Sequence, residues 1–137
     1  MKELVVLVMT MLSSWNMEYY PSSLDGNAVD VAYYENSTVI TINRSLVPAQ
    51  IECTGSMRPL MGCENQAFLE RLSATEKINN GDIVAYENEG KYIMHQVVGF
   101  EDGCFKLKGF NNIFEDNMCV ERSDIKYRAV LVIPTGA

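Results

Sequence analysis

An all-β fold of short, closely connected strands is what this sequence predicts. Three observations carry the prediction. Apolar residues recur at period two or in short runs rather than at helical spacing. Turn signals of the Asn-Gly and Asp-Gly kind punctuate the second half of the chain. No long amphipathic stretch offers a helix. Together they point to a small antiparallel barrel or folded sheet.

The chain begins with an apolar run, Leu4 to Leu12, behind one lysine and one glutamate. It is too short to cross a bilayer as a helix. Residues 1–14 are therefore read as a separate apolar segment with three open assignments: the core of a targeting peptide, the end of a trimmed anchor, or a strand. Residues 15–137 are read as one domain. Val29–Tyr33 and Thr38–Ile42 alternate as strands do. Ala67–Leu72 is a short strand, and Asn79-Asn80-Gly81-Asp82 a turn leading into the apolar strand Ile83–Tyr86. Asn88-Glu89-Gly90 turns the chain into a long strand, Lys91 to Phe100, and Glu101-Asp102-Gly103 turns it back through Cys104–Lys108. Tyr127 to Ile133 is the closing strand.

Composition narrows the function. A chain of 137 residues with 47% hydrophobic content can bury a sizeable core. Its net charge of -7 leaves no basic surface for a phosphate backbone, so nucleic acid is not an expected partner. Four cysteines lack CxxC spacing and there is a single histidine, which argues against a zinc site; no cofactor is expected. The cysteines allow two disulfides, Cys53–Cys63 and Cys104–Cys119 closing the shortest loops, or four buried thiols. Two Asn-x-Ser/Thr acceptors, at Asn36 and Asn43, lean towards an extracytoplasmic face. No oligomeric state is assigned.

The chemistry concentrates in three stretches. Cys53-Thr54-Gly55-Ser56-Met57-Arg58-Pro59 places a small hydroxyl between a glycine, free to take an unusual φ, and a proline that stiffens the exit. A nucleophilic serine needs such a setting, although many surface turns read the same way. A base must take its proton. His95 is the candidate, sharing one strand face with Ile93 and Val97. Apolar neighbours disfavour a charged imidazole, and a general base must be neutral. Lys91, two repeats away on the same face, is the weaker rival. A structural histidine bonded to a carbonyl is the bland alternative. The third stretch, Lys106 to Asp116, returns from the hairpin and turns at Gly109 and the Asn111-Asn112 pair, carrying Glu115 or Asp116 towards His95.

Ser56-Met57-x-Pro59, Asn80-Gly81-Asp82-Ile83-Val84, Met94-His95-Gln96-Val97-Val98 and Lys108-Gly109-x-Asn111-Asn112 ending in Asp116 resemble, in order and spacing, the boxes of type I signal peptidases; Tyr127-Arg128-Ala129-Val130 is similar to the last family strand. The resemblance covers about residues 50–133. It is to the histidine-type members of archaea and the endoplasmic reticulum, which share their fold with repressor autoproteases. It implies a serine endopeptidase that cleaves signal peptides from exported preproteins at a membrane surface. It implies Ser56 as nucleophile, His95 as general base and Asp116 as the orienting acid, with Thr54 and Met57 on the oxyanion and substrate side. One departure stands out. Histidine-type members read Lys-Gly-Asp in the fourth box, and here Phe110 holds the third position. If Asp116 orients His95 the triad is complete, with Glu115 and Asp82 as stand-ins. If the lost acid was the orienter, the chain is a weak or inactive peptide-binding relative. Autoproteolysis is a third reading. It is disfavoured as a repressor function by the acidic charge.

Overall fold

A computed structural model describes residues 5–10, 18–19 and 29–134. Strands β1 (Val5–Thr10), β3 (Val29–Tyr34) and β4 (Ser37–Ile42) form an antiparallel three-stranded sheet in the order β1-β4-β3. The apolar run at the N-terminus is thus, over Val5–Thr10, a strand paired to β4 along its whole length. The remainder of segment 1–14 lies outside the described residues. In β4 burial alternates strictly: Thr38, Ile40 and Ile42 turn inward.

The larger sheet runs β5 (Val47–Gln50), β6 (Asn65–Arg71), β10 (Ile125–Pro134), β7 (Ile83–Asn88), β8 (Lys91–Glu101), β9 (Cys104–Lys108), with the two-residue β2 (Glu18–Tyr19) also on β10. The fold is all-β and antiparallel; the only helix among the described residues is a 3₁₀ turn at Arg122–Asp124. The barrel alternative does not hold, because among the described residues β5 and β9 end the sheet without pairing to each other. The sheet folds instead. β10 carries register shifts between Ile125 and Tyr127 and between Ala129 and Leu131. Bulges of this kind bend a strand and sharpen its twist.

β10 is the centre of the core. Ala129 to Val132 are all buried, a continuous run rather than an alternation, because both faces are covered. One face meets Met57, Met61, Ala67, Leu69 and Ile83; Val130 and Leu131 meet Ile40, Ile42 and Leu46 beneath the small sheet. A third cluster, around Val84, Tyr86, Val97 and Leu107, lies under the β7–β8–β9 hairpins. The two hairpins turn in two residues, Glu89-Gly90 and Asp102-Gly103, each pair with positive φ, the turn that matches strand twist. β5 has no counterpart in the sequence reading: it is an exposed edge strand that contains Pro48, and it neither alternates nor forms an apolar run.

Polar groups are buried at the junction of β6, β10 and β7. Arg128 donates from Nε to Glu70 Oε1 at 2.8 Å and from Nη1 to Asp82 Oδ2 at 3.3 Å; Glu70 Oε2 also takes Arg44 Nη1 at 2.7 Å. Burial alone would lower the Arg128 pKa, but the hydrogen bonds and charges of Glu70 and Asp82 carry it above its ordinary value. Asp82 further accepts the Asn79 N–H at 2.9 Å. That network occupies Asp82 and removes it as a stand-in behind His95. No described helix is long and apolar enough to cross a membrane. Removing one partner of a buried ion network costs about 3–5 kcal/mol. Arg128→Met should therefore lower the unfolding free energy by that amount, read as a fall in the urea midpoint; an unchanged midpoint would show that the network does not hold the strands.

Candidate active site

Two loops and one strand build the site. Ser56 lies in the connection between β5 and β6. Gly55 has φ +77, a conformation that side chains resist, and it turns the chain sharply just before the serine. The Arg58–Pro59 bond is cis, and Arg58 grips Glu64 through two 2.8 Å contacts. Cys53 and Cys63 are disulfide-bonded, so the serine sits inside a small closed ring.

His95 comes from β8, opposite Val84 of β7, and is 8% exposed. Its strand face is the buried one that the sequence indicates, shared with Val97. Asp116 comes from the loop after β9. Its N–H bonds the Leu107 carbonyl at 2.7 Å, which lays Asp116 alongside β9. A second disulfide, Cys104–Cys119, closes this loop as well.

The three side chains meet in line. Ser56 Oγ is 3.2 Å from His95 Nε2, and His95 Nδ1 is 2.6 Å from Asp116 Oδ2. An ionised carboxylate only accepts, so the Nδ1 position carries the proton and Nε2 presents its lone pair to the serine hydroxyl. Thr54 Oγ1 lies 3.3 Å from Ser56 Oγ and accepts the Ser56 N–H at 3.4 Å. Met57 is buried beneath the serine, and its Sδ takes the Phe110 N–H at 3.4 Å. Glu115 is exposed and Asp116 is the acid that reaches His95. Lys91 stands exposed at the turn end of β8, paired with Asn88, and is not part of the cluster. Phe110 turns a half-exposed ring outward, and the carboxylate that meets His95 is that of Asp116.

Sequence reasoning did not find the parts that hold the two loops together. The Asn111 N–H donates to the Ser56 carbonyl at 2.7 Å and Asn111 Nδ2 to the Gly55 carbonyl at 3.2 Å. Gly109 lets the loops close: a Cβ there would stand 2.9 Å from the Ser56 carbonyl oxygen and 2.5 Å from Asn112 Nδ2. The glycine and the asparagine pair signalled a turn, but a turn signal does not say what it lies against. Also unforeseen is Tyr86, whose hydroxyl donates to Asp116 Oδ2 at 2.8 Å. Burial first, then that hydrogen bond and the carboxylate charge, raise its phenol well above the ordinary range.

The serine opens on a groove of about 580 Å³. Gln50, Ile51 and Glu52 run along one wall and Tyr92, Ile93 and Met94 along the other. Tyr92 packs edge-on against Tyr127, ring centroids 5.7 Å apart, at the groove's side. Among the described residues no group of three or more His, Cys, Asp and Glu side chains is placed to hold a metal ion. The acceptor asparagines, Asn36 and Asn43, are exposed on the small sheet, Asn43 bonding Asp30 at 3.1 Å. No family model, curated protein or solved structure matches the chain.

Gly109→Ala should force the Ser56 loop and the Asn111 turn apart. Overpacking of this kind costs about 1–3 kcal/mol. The expected outcome is a fall in thermal midpoint, with loss of protection of the Asn111 amide in hydrogen exchange. A protected amide and an unchanged midpoint would mean that the loops absorb a methyl group.

Proposed function

We propose that the chain is a serine endopeptidase of the signal-peptidase type, acting by a Ser56–His95–Asp116 mechanism on exported preproteins at a membrane surface on the extracytoplasmic side. The observation that carries the reading is the continuous chain of contacts from the Ser56 hydroxyl through the sole histidine to the Asp116 carboxylate, open to a groove.

In this reading the groove takes an extended segment between the Gln50–Thr54 wall and the Tyr92–Met94 wall. Strand addition satisfies the segment's backbone, and small side chains next to the cleaved bond let its carbonyl approach the serine. Ser56 Oγ attacks that carbonyl carbon. As the C–O bond forms, the hydroxyl proton passes to His95 Nε2, and the imidazolium is held by Asp116 through Nδ1–H. In this reading the Ser56 N–H, which bonds Thr54 Oγ1 at 3.4 Å in the free protein, and the Thr54 hydroxyl turn to the oxyanion as it develops; donors aimed there are worth several kcal/mol. His95 then gives its proton to the leaving amine. Water completes the cycle by the same proton path in reverse, cleaving the acyl-enzyme ester and restoring the serine. Two closed disulfides and the exposed glycosylation acceptors support an extracytoplasmic setting.

The test uses a preprotein with a cleavable signal peptide in detergent micelles. Ser56→Ala and His95→Ala should each lower kcat by at least about a thousandfold, and the double variant should be no worse than either, because the pair acts as a unit. Cleavage that survives Ser56→Ala would overturn the peptidase reading. Tight binding of the same peptide without cleavage by the wild type would establish the binding-module alternative, which the Phe110 substitution in the fourth box motivates.

A further inference from the structure

Tyr86 is a large, fully buried side chain on β7. Its ring belongs to the apolar cluster with Val84, Val97 and Leu107, where a phenylalanine would pack as well. A hydroxyl in such a place costs free energy unless it is bonded. Here it is bonded to one atom, the Asp116 oxygen that also receives His95 Nδ1. Two donors on one carboxylate oxygen, from strands β7 and β8, leave the carboxylate no free rotation about the contact with His95.

We infer that Tyr86 is a positioning residue for the proposed hydrolysis: its hydroxyl locks the Asp116 carboxylate against His95. The inference rests on the peptidase reading and extends it to a residue outside the triad. The physical argument is a division of charge. The phenol hydrogen draws electron density from Oδ2, so the oxygen is a weaker acceptor and the transferred proton stays on the imidazole rather than moving on to the acid. The other ionisable groups around the imidazole are set apart from this contact. Glu52, Tyr92 and Tyr127 line the groove, and Lys108 on β9 pairs with Gln96 beside His95.

Tyr86→Phe removes the hydroxyl and keeps the ring. With the preprotein assay, kcat should fall roughly tenfold with KM unchanged, the worth of one hydrogen bond to a charged acceptor. The chain has one histidine, so its imidazole can be followed alone by NMR without any substrate. Losing the phenol leaves more negative charge on Oδ2, the imidazolium is favoured, and the titration midpoint in Tyr86→Phe should move to higher pH. In an Asp116→Asn background the same substitution should move it no further, because the acceptor it acts through is gone. A midpoint that does not move in Tyr86→Phe, or moves equally in the Asp116→Asn background, overturns the inference. So does an unchanged kcat in an enzyme whose cleavage depends on Ser56. If the wild type does not cleave, the peptidase reading falls and the inferred role in hydrolysis falls with it, and the titration alone decides whether Tyr86 governs the acid.

Discussion

The site depends on one close approach, the backbone of the Gly109–Asn111 turn lying against the backbone of the Ser56 loop. The Asn111 N–H meets the Ser56 carbonyl, and there is no room for a side chain at Gly109. Without that contact the serine loop and the acid loop would each be closed rings attached to opposite regions of the sheet. With it, the Ser56 backbone is referenced directly to the segment that carries Asp116, and His95 on β8 bonds both side chains. A main-chain bond is well suited to the task, since it does not depend on the rotamer of a long side chain.

The sheet provides the frame for this contact. β10 binds β6 on one edge and β7 on the other, and its bulges fold the sheet so that the strands carrying His95 and Tyr86 face the connection carrying Ser56. The buried Arg128–Glu70–Asp82 group sits where these strands converge. Its contribution is geometric as much as energetic: a guanidinium with carboxylates from two elements fixes their relative register, while hydrophobic contact alone would let them slide. The contact at His95 and the ionic cluster at Arg128 use separate carboxylates, and Asp82 belongs to the second.

Much of this was legible where the determinants are local. The hairpins β7–β8 and β8–β9 follow from Glu89-Gly90 and Asp102-Gly103, and the inward face of β8 from the alternation at Ile93, His95 and Val97. Determinants distant in the chain were not legible. Whether a sheet closes or only folds depends on its two edge strands, and one of them, β5, has exposed residues and a proline in place of a strand pattern. The choice between Glu115 and Asp116 depends on how the loop lies against β9 and β7, where Asp116 bonds the Leu107 carbonyl and the Tyr86 hydroxyl. Tyr86 reads as one more apolar residue until its hydroxyl is seen to point at the acid. The four cysteines could have been thiols; their pairing depends on where the loops return.

The two disulfides close the two loops that bring Ser56 and Asp116 to His95. Each encloses one end of the Ser56–His95–Asp116 contact chain: Cys53–Cys63 spans Ser56, and Cys104–Cys119 spans Asp116. A glutathione-rich surrounding that reduced them would free the Ser56 and Asp116 loops together, while His95 lies within strand β8. The alignment of Ser56 with Asp116 is thereby tied to the electron balance of the surroundings, and a chain still awaiting oxidation would lack both of the rings that hold these loops.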